Sequence, residues 1–503
     1  MKQRRNASGW IAAALVALLT AGALAAQRVP VHLPLARGSS PAAATAPTVE
    51  LWLSTQDRRL CLTRQPDIPT GVSATATADI VIDTSRTFQT IVGFGAALTD
   101  SSSWLIQHRL TERQRNVFLR EMFGPPPGLA LNMTRLTIGA SDCSLQHYSL
   151  DDRPAGQTDP GLQHFGIAPD LRDVIPTVRE ALAVDPRLHI IASPWSAPAW
   201  MKTTDSLIGG TLLRQDESTF AAYLVKYVDA MRGHGIPIWA LTVQNEPAFQ
   251  PGTYPGMELT PAARARIIGQ YLGPALANHE PRTRILGWDH NWDAPDQPLS
   301  VLGDNAAARY IDGIAWHCYA GDPGAQSRVH QAFPHKDTYV TECSGGEWAK
   351  NGELLWFARD LLLGSLRNWA RGVVYWNLAL DENHGPHSGG CGDCKGLVTI
   401  DSRTGAVSRN DEYYAFAHFS RFILPGAVRV WSTATGPDIR NVAFRNAGDG
   451  ALVLVVTNSG KVAHGISVGQ GKLSFRYNMP AESVATFRWN PGQFTHGGRE
   501  TLP

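Results

Sequence analysis

The sequence predicts an α/β chain, a (β/α)8 TIM barrel with a side β-sandwich built from its N- and C-terminal strands. Three observations predict it. The 503 residues are enough for a barrel of roughly 250–350 residues and an accessory unit. The middle of the chain alternates strand-like and helical patterns, as βα units around a parallel sheet do. Both ends carry short runs in which apolar and polar residues alternate at close to period two, the pattern of half-buried strands.

Taken in order, the chain opens with Lys2, Arg4 and Arg5, then an apolar run from Trp10 to Ala26 with small residues at Ala23 and Ala25. This reads as a cleavable export signal over residues 1–26. The competing reading is membrane anchoring through that segment, because the run sits at the lower limit for spanning a bilayer. Residues 27–48, rich in Pro, Ala and Ser, read as a disordered linker. Export to a secreted or periplasmic location also makes disulfides available to the six cysteines.

The first sandwich portion is expected over 49–86, with strands at Val49–Ser54, Arg59–Thr63 and Ala78–Asp83. The barrel is expected over 87–423. Its eight strands are predicted at Ile91–Ala96, Asn132–Ile138, His189–Ala192, Trp239–Val243, Arg284–Trp288, Gly313–Trp316, Thr338–Thr341 and Val373–Trp376. The helix before the fourth strand has Ser218 as its expected cap. Phe220, Tyr223, Tyr227 and Met231 keep a helical spacing, and Gly233 and Gly235 end it. Residues 424–503 return to strands, at Val428–Trp431, Asn441–Arg445, Ala451–Thr457, Lys472–Arg476 and Ser483–Trp489.

Composition narrows the partners. A net charge of +1 supplies no field to attract phosphates, which argues against nucleic acid. The expected substrate is neutral, or is recognised by something other than its charge.

Active-site residues of such a barrel belong at the C-terminal ends of its strands. Those positions hold Asp100 after strand one and Trp195 after strand three. Asn245 and Glu246 follow strand four, and His317 and Tyr319 follow strand six. Glu342 follows strand seven, and Trp376 ends strand eight. Two carboxylates therefore face each other across the mouth among aromatic rings, which is the machinery for cleaving a glycosidic bond. Either Glu alone would more often be a surface residue; their joint placement on strands four and seven is what points to catalysis. Bland alternatives exist for the helpers: Trp195 and Trp376 as barrel core, His317 as a satisfied internal histidine, Asp100 as a helix N-cap.

The runs Gly93-Phe94-Gly95-Ala96-Ala97-Leu98-Thr99-Asp100, Ser193-Pro194-Trp195-Ser196-Ala197-Pro198-Ala199-Trp200-Met201-Lys202, Gln244-Asn245-Glu246-Pro247, His317-Cys318-Tyr319, Thr341-Glu342-Cys343-Ser344-Gly345 and Trp376-Asn377-Leu378-Ala379-Leu380 together resemble glycoside hydrolase family 30. The resemblance implies a retaining β-glycosidase without a cofactor, with Glu246 as acid/base and Glu342 as nucleophile. It implies that Asn245 bonds the sugar 2-hydroxyl and that Asp100, helped by Trp195, binds hydroxyls at the far end of the sugar. Trp376 would form the subsite floor, and His317 and Tyr319 would bracket the nucleophile. The leading expectation is a glucosylceramidase-like β-glucosidase whose partner is a carbohydrate or glycolipid substrate. The alternatives are an endo-β-1,6-glucanase or β-xylosidase of the same family, or a non-catalytic glycan-binding protein.

His384 and His387 followed by Cys391 and Cys394 have zinc-like spacing. A tight Cys391–Cys394 disulfide in an exported loop is the preferred reading, and no metal is assigned. Cys318 and Cys343 could pair or remain free buried thiols; nothing in the sequence interprets Cys61 or Cys143. The loop from Asp381 to Gly396 is expected to sit over the mouth. Trp288, Trp292 and Trp348 are candidates for the aglycone side, because strand-end aromatics stack on sugars.

Overall fold

The computed structural model describes residues 48–72, 78–279, 282–350 and 352–491. The expected export signal and the expected linker, up to residue 47, lie outside them. Among the described residues, no helix is long and apolar enough to cross a membrane.

Eight parallel strands close into a barrel: Gly93–Ala96, Met133–Ile138, His189–Pro194, Ala240–Thr242, Arg284–Asn291, Ile311–His317, Asp337–Glu342 and Ala370–Tyr375. The eighth pairs with the first from Gly372↔Gly93 to Tyr375↔Ala96. These are the eight expected strands, with ends shifted by a few residues. Side-chain alternation then builds the interior in layers. Met133, Ile191, Ala240, Leu286, Ala315, Tyr339 and Val374 form one buried apolar cluster, each from a different strand. Two residues further along six of these strands, the next layer is Arg135, Ser193, Thr242, His317, Thr341 and Trp376. Apolar filling below and polar groups above place the chemistry at the C-terminal mouth.

The fifth strand breaks the rule. Its register against the sixth shifts, with Ala315 opposite Trp288 and Trp316 opposite His290. Asp289 is the extra residue of this irregularity, and both Trp288 and Asp289 have positive φ (73° and 68°). The bulge turns Asp289 into the polar layer where strict alternation would have placed Trp288.

The helix before the fourth strand spans Glu217–Gly233 and buries Phe220, Tyr223, Tyr227 and Met231 as the spacing predicts. Ser218 is not its cap. The helix begins one residue earlier, continuing from a 3-10 turn at Arg214–Asp216, so Ser218 lies within the first turn.

The chain leaves and re-enters the β-sandwich as expected: the N-terminal strand Thr48–Thr55 pairs antiparallel with the C-terminal strand Ser483–Trp489. Phe475 and Tyr477 of the strand Leu473–Met479 pack on Phe487 and Trp489 with ring centroids 5.4–5.7 Å apart, so the strand layers meet face to face. The expected strand at Arg59–Thr63 is instead a turn. Arg58 and Leu62 have positive φ, and Asp57 accepts from Thr55 Oγ1 and the Arg59 N–H. The strand follows at Thr63–Pro69, and its two prolines suit an edge. A further strand at His464–Gln470 escaped the sequence reading because its two glycines blur the alternation. His418, on the last barrel helix Asp411–Ser420, bonds both Thr486 and Ser54 at 2.8 Å. It ties the barrel to both arms of the sandwich.

Candidate active site

Glu342 ends the seventh strand, and Glu246 follows the fourth by four residues. His317, at the end of the sixth strand and fully buried, stands between them. Its Nδ1 lies 3.1 Å from Glu246 Oε1 and 3.8 Å from Glu342 Oε1. Its Nε2 meets Asp289 Oδ1 at 3.1 Å, which fixes how the ring faces the two glutamates. Tyr319 donates its hydroxyl to Glu342 Oε1 at 2.9 Å.

Arg135 approaches from the second strand. Its guanidinium donates to Glu342 Oε2, to Asn245 Oδ1 at 2.7 Å and to Asp289 Oδ2 at 2.9 Å. A buried cation is tolerated only when paired, and here two carboxylates and an amide surround it. Asp289 also accepts from Ser193 Oγ (2.8 Å), Thr242 Oγ1 (2.7 Å) and Thr341 Oγ1 (2.6 Å). Burial alone would raise its pKa, but the Arg135 charge and these hydrogen bonds hold it far below the ordinary carboxylate range.

Trp195 and Trp376 stack on each other with centroids 5.0 Å apart and planes 23° from parallel. The Arg135 guanidinium lies 4.7 Å from the Trp195 ring centroid, a cation–π contact that joins the aromatic pair to the carboxylate network. Glu246 has φ +47°, a left-handed backbone that is costly for a residue with a Cβ and is concentrated at functional sites.

Of the residues expected at the site, Glu246, Glu342, Asn245, His317, Tyr319, Trp195 and Trp376 join one contact network. Asp100 does not join it. It opens the helix Asp100–Arg109, whose N-cap is Thr99, and its carboxylate accepts the Tyr148 hydroxyl at 3.0 and 3.2 Å. Burial raises its pKa to about 6, and its neighbours are Ser144, Asp170 and Asp173 rather than the two glutamates. The carboxylate that does sense them is Asp142, on the loop after strand two. Its pKa is pushed up to about 7 by burial and by the negative charges of Glu342 and Glu246.

Arg135, Asp142 and Asp289 went unnoticed in the sequence. A lone Arg as the single charged residue of an interior strand was a readable signal. Asp289 had none, because the bulge that turns it inward is a tertiary event. Trp288 and Trp292 are buried in the outer core rather than open to a sugar, and Trp348 is exposed.

Cys391 and Cys394 are disulfide-bonded, and so are Cys318 and Cys343; Cys61 and Cys143 are free. The bonded sulfurs remove the thiolates that the zinc alternative needed, and His384 and His387 face the carbonyls of Cys394 (3.0 Å) and Gly389 (3.2 Å). Glu246, His290 and His317 offer three ligand atoms within 4.8 Å of one another, but both His317 nitrogens are engaged by carboxylates.

The sequence model of the glycosyl hydrolase family 30 TIM-barrel domain matches residues 91–423, and that of the family 30 beta sandwich domain matches 426–487. The chain belongs to glycosyl hydrolase family 30. It is a glycosidase of that family. It is 35% identical to an endo-1,6-beta-D-glucanase of Aspergillus fumigatus over 429 residues, 79% of this chain and 85% of that one. It is 29% identical to the lysosomal acid glucosylceramidase of Mus musculus, covering 82% and 83%. A solved endo-beta1,6-glucanase superposes with a TM-score of 0.80 at 31% identity, covering 88% of this chain and 99% of that structure.

Proposed function

We propose that this family 30 enzyme is an exported endo-β-1,6-glucanase that retains anomeric configuration through a two-carboxylate double displacement. One observation carries the mechanism: a single imidazole nitrogen sits 3.1 Å from Glu246 and 3.8 Å from Glu342. A bridge that short suits carboxyls about 5–5.5 Å apart, the spacing of retaining enzymes, better than the wider gap that an inverting enzyme needs for water.

Glu342 is the nucleophile. Arg135 and Tyr319 hydrogen-bond its oxygens and hold them in place. It attacks the anomeric carbon to form a glycosyl-enzyme. Glu246 protonates the departing oxygen, then takes a proton from the water that releases the sugar. In the free site Glu246 lies below its ordinary pKa: burial raises it, but the His317 hydrogen bond and charge more than offset this. His317 is itself raised to about 9. The two residues therefore share one proton, and its transfer onto Glu246 readies the acid. Asn245 bonds the sugar 2-hydroxyl, Trp195 and Trp376 form the wall and floor of the subsite, and Asp142 replaces Asp100 as the acidic group near the sugar.

The β-1,6-glucan reading displaces the glucosylceramidase-like one because relatives described as endo-1,6-glucanases stand at higher identity than the mouse glucosylceramidase. Export is supported by the leader-like N-terminus and by two disulfides, which persist in oxidising compartments.

The test is hydrolysis of β-1,6-glucan, glucosylceramide, an aryl β-glucoside and an aryl β-xyloside by wild type, Glu246→Gln and Glu342→Gln. The expected result is rapid release of short oligosaccharides from β-1,6-glucan and loss of several orders of magnitude in both variants. Preference for glucosylceramide would restore the glucosidase reading. No turnover by wild type would favour a glycan-binding role.

A further inference from the structure

The loop after the eighth strand crosses the barrel mouth and is attached at three places. Near its start, the Ser388 N–H donates to the Asp142 carbonyl at 2.8 Å, and His147 Nε2 lies 2.9 Å from the Ser388 carbonyl. In its middle, the Gly390 N–H donates to Thr253 Oγ1 at 3.2 Å. At its end, Cys394 and Lys395 pair antiparallel with Gly346 and Gly345, and the Glu347 N–H donates to the Asp393 carbonyl at 2.9 Å. One segment thus spans the loops that follow strands two, four and seven.

Between the second and third attachments lies the Cys391–Cys394 bond. Both cysteines pack in one apolar cluster with Trp195, Trp376, Cys143 and Tyr254. The loop also presses on Asp142: a Cβ added to Gly390, where φ is +70°, would fall 2.3 Å from Asp142 Cβ. Only glycine lets the backbone come this close to the acidic group.

We propose that the Cys391–Cys394 bridge is a positioning clamp for the sugar subsite, holding the Ser388–Cys394 loop against Asp142 and Trp376 before substrate arrives. The inference rests on the reading that Trp195, Trp376 and Asp142 line that subsite. The physical basis is the loop's composition. Ser388-Gly389-Gly390-Cys391-Gly392 has high conformational freedom when untethered, and ordering it during binding would draw on the substrate's binding energy. The bridge makes that order part of the resting enzyme. The catalytic pair is held separately, by Arg135, His317 and Tyr319. The clamp therefore acts on sugar binding and leaves the chemical step in place.

The experiment compares wild type with Cys391→Ser/Cys394→Ser in steady-state hydrolysis of aryl β-glycosides and in inhibition by the free sugar. The expected result is a KM about ten-fold higher, kcat within about two-fold of wild type, and free-sugar inhibition weakened by the same factor as KM. A second measurement needs no variant to fold. The folded wild type is treated with a water-soluble phosphine, and thiol mapping confirms that the Cys391–Cys394 bond, reached through the partly buried Cys391, has opened while the Cys318–Cys343 bond stays closed. It is expected to show the same split. An unmoved KM with the bond open overturns the clamp, and so does a loss confined to kcat. If wild type prefers a sugar other than glucose, the function reading changes and the clamp is tested by the same ratio on that sugar.

Discussion

Arg135 hydrogen-bonds Glu342 from inside the barrel, with its own side chain fully buried. The same guanidinium holds Asn245 and Asp289 and lies against the Trp195 ring. One residue of the second strand thus sets the position of Glu342, the proposed nucleophile, of Asn245 beside the proposed acid Glu246, and of Trp195.

Arg135→Gln is expected to lower kcat/KM about 10²–10³-fold and to cost about 3–5 kcal/mol of stability, because two buried carboxylates lose their counter-charge. Arg135→Lys restores the charge but not the planar fork and is expected to recover little activity. Steady-state kinetics alongside denaturant unfolding check both; near wild-type activity in the Lys variant would show that charge alone matters.

The acid should reveal itself through the leaving group. Glu246→Gln is expected to lose roughly 10³-fold or more on glucan, whose departing alcohol needs a proton, and far less on a dinitrophenyl glycoside, whose leaving group does not. Glu342→Gln is expected to lose activity on both alike. Equal losses on both substrates in Glu246→Gln would remove it from the acid role.

The pH profile follows from His317. Burial alone would lower its pKa, but the charge of Glu342 and the hydrogen bonds to Asp289 and Glu246 raise it to about 9. The shared proton is present below that value, so kcat/KM should fall as pH climbs through about 9. The linked stability has the same sign: it is complete below the unfolded value of about 6.5 and is lost as pH rises through about 9. His317→Gln should abolish this alkaline limb; a limb that persists unchanged would assign it to another group.

Acid stability follows from His418, fully buried between Thr486 and Ser54 with its pKa lowered to about 3 by burial and by the Arg421 charge. The unfolded chain takes up a proton near pH 6.5 that the folded chain refuses until about pH 3. Its contribution is therefore complete above about 6.5 and is lost progressively as pH falls toward 3, on the order of 3–5 kcal/mol in all. The measurement is unfolding temperature against pH for wild type and His418→Gln. The variant should show the shallower slope between pH 4 and 6.

Legibility of the site followed how local each feature was. Glu246 and Glu342 could be placed because each follows a recognisable strand, and a strand end is a position that alternation and length define. The separation of Asp100 from the network of the two glutamates was not legible, because sequence proximity to the first strand end does not say which way the first helical residue faces; Thr99 caps the helix and Tyr148 bonds the carboxylate. The burial of Trp288 and Trp292 was not legible, because exposure of an aromatic is decided by what packs over it. Cys318 and Cys343 could not be paired from spacing, since their neighbourhood arises from adjacent barrel strands 25 residues apart in sequence.

By itself the sequence determined the repeating βα units, the divided sandwich and the two glutamates at the mouth. These depend on periodicity and on residues adjacent along the chain. Only the tertiary structure decided the Arg135–Asp289–His317 network, the inward turn of Asp289 and the loop that Cys391–Cys394 holds across Asp142. Each depends on groups from different strands meeting in the barrel interior or across its mouth. A one-residue bulge there exchanges a tryptophan for a carboxylate, and no local pattern records that exchange.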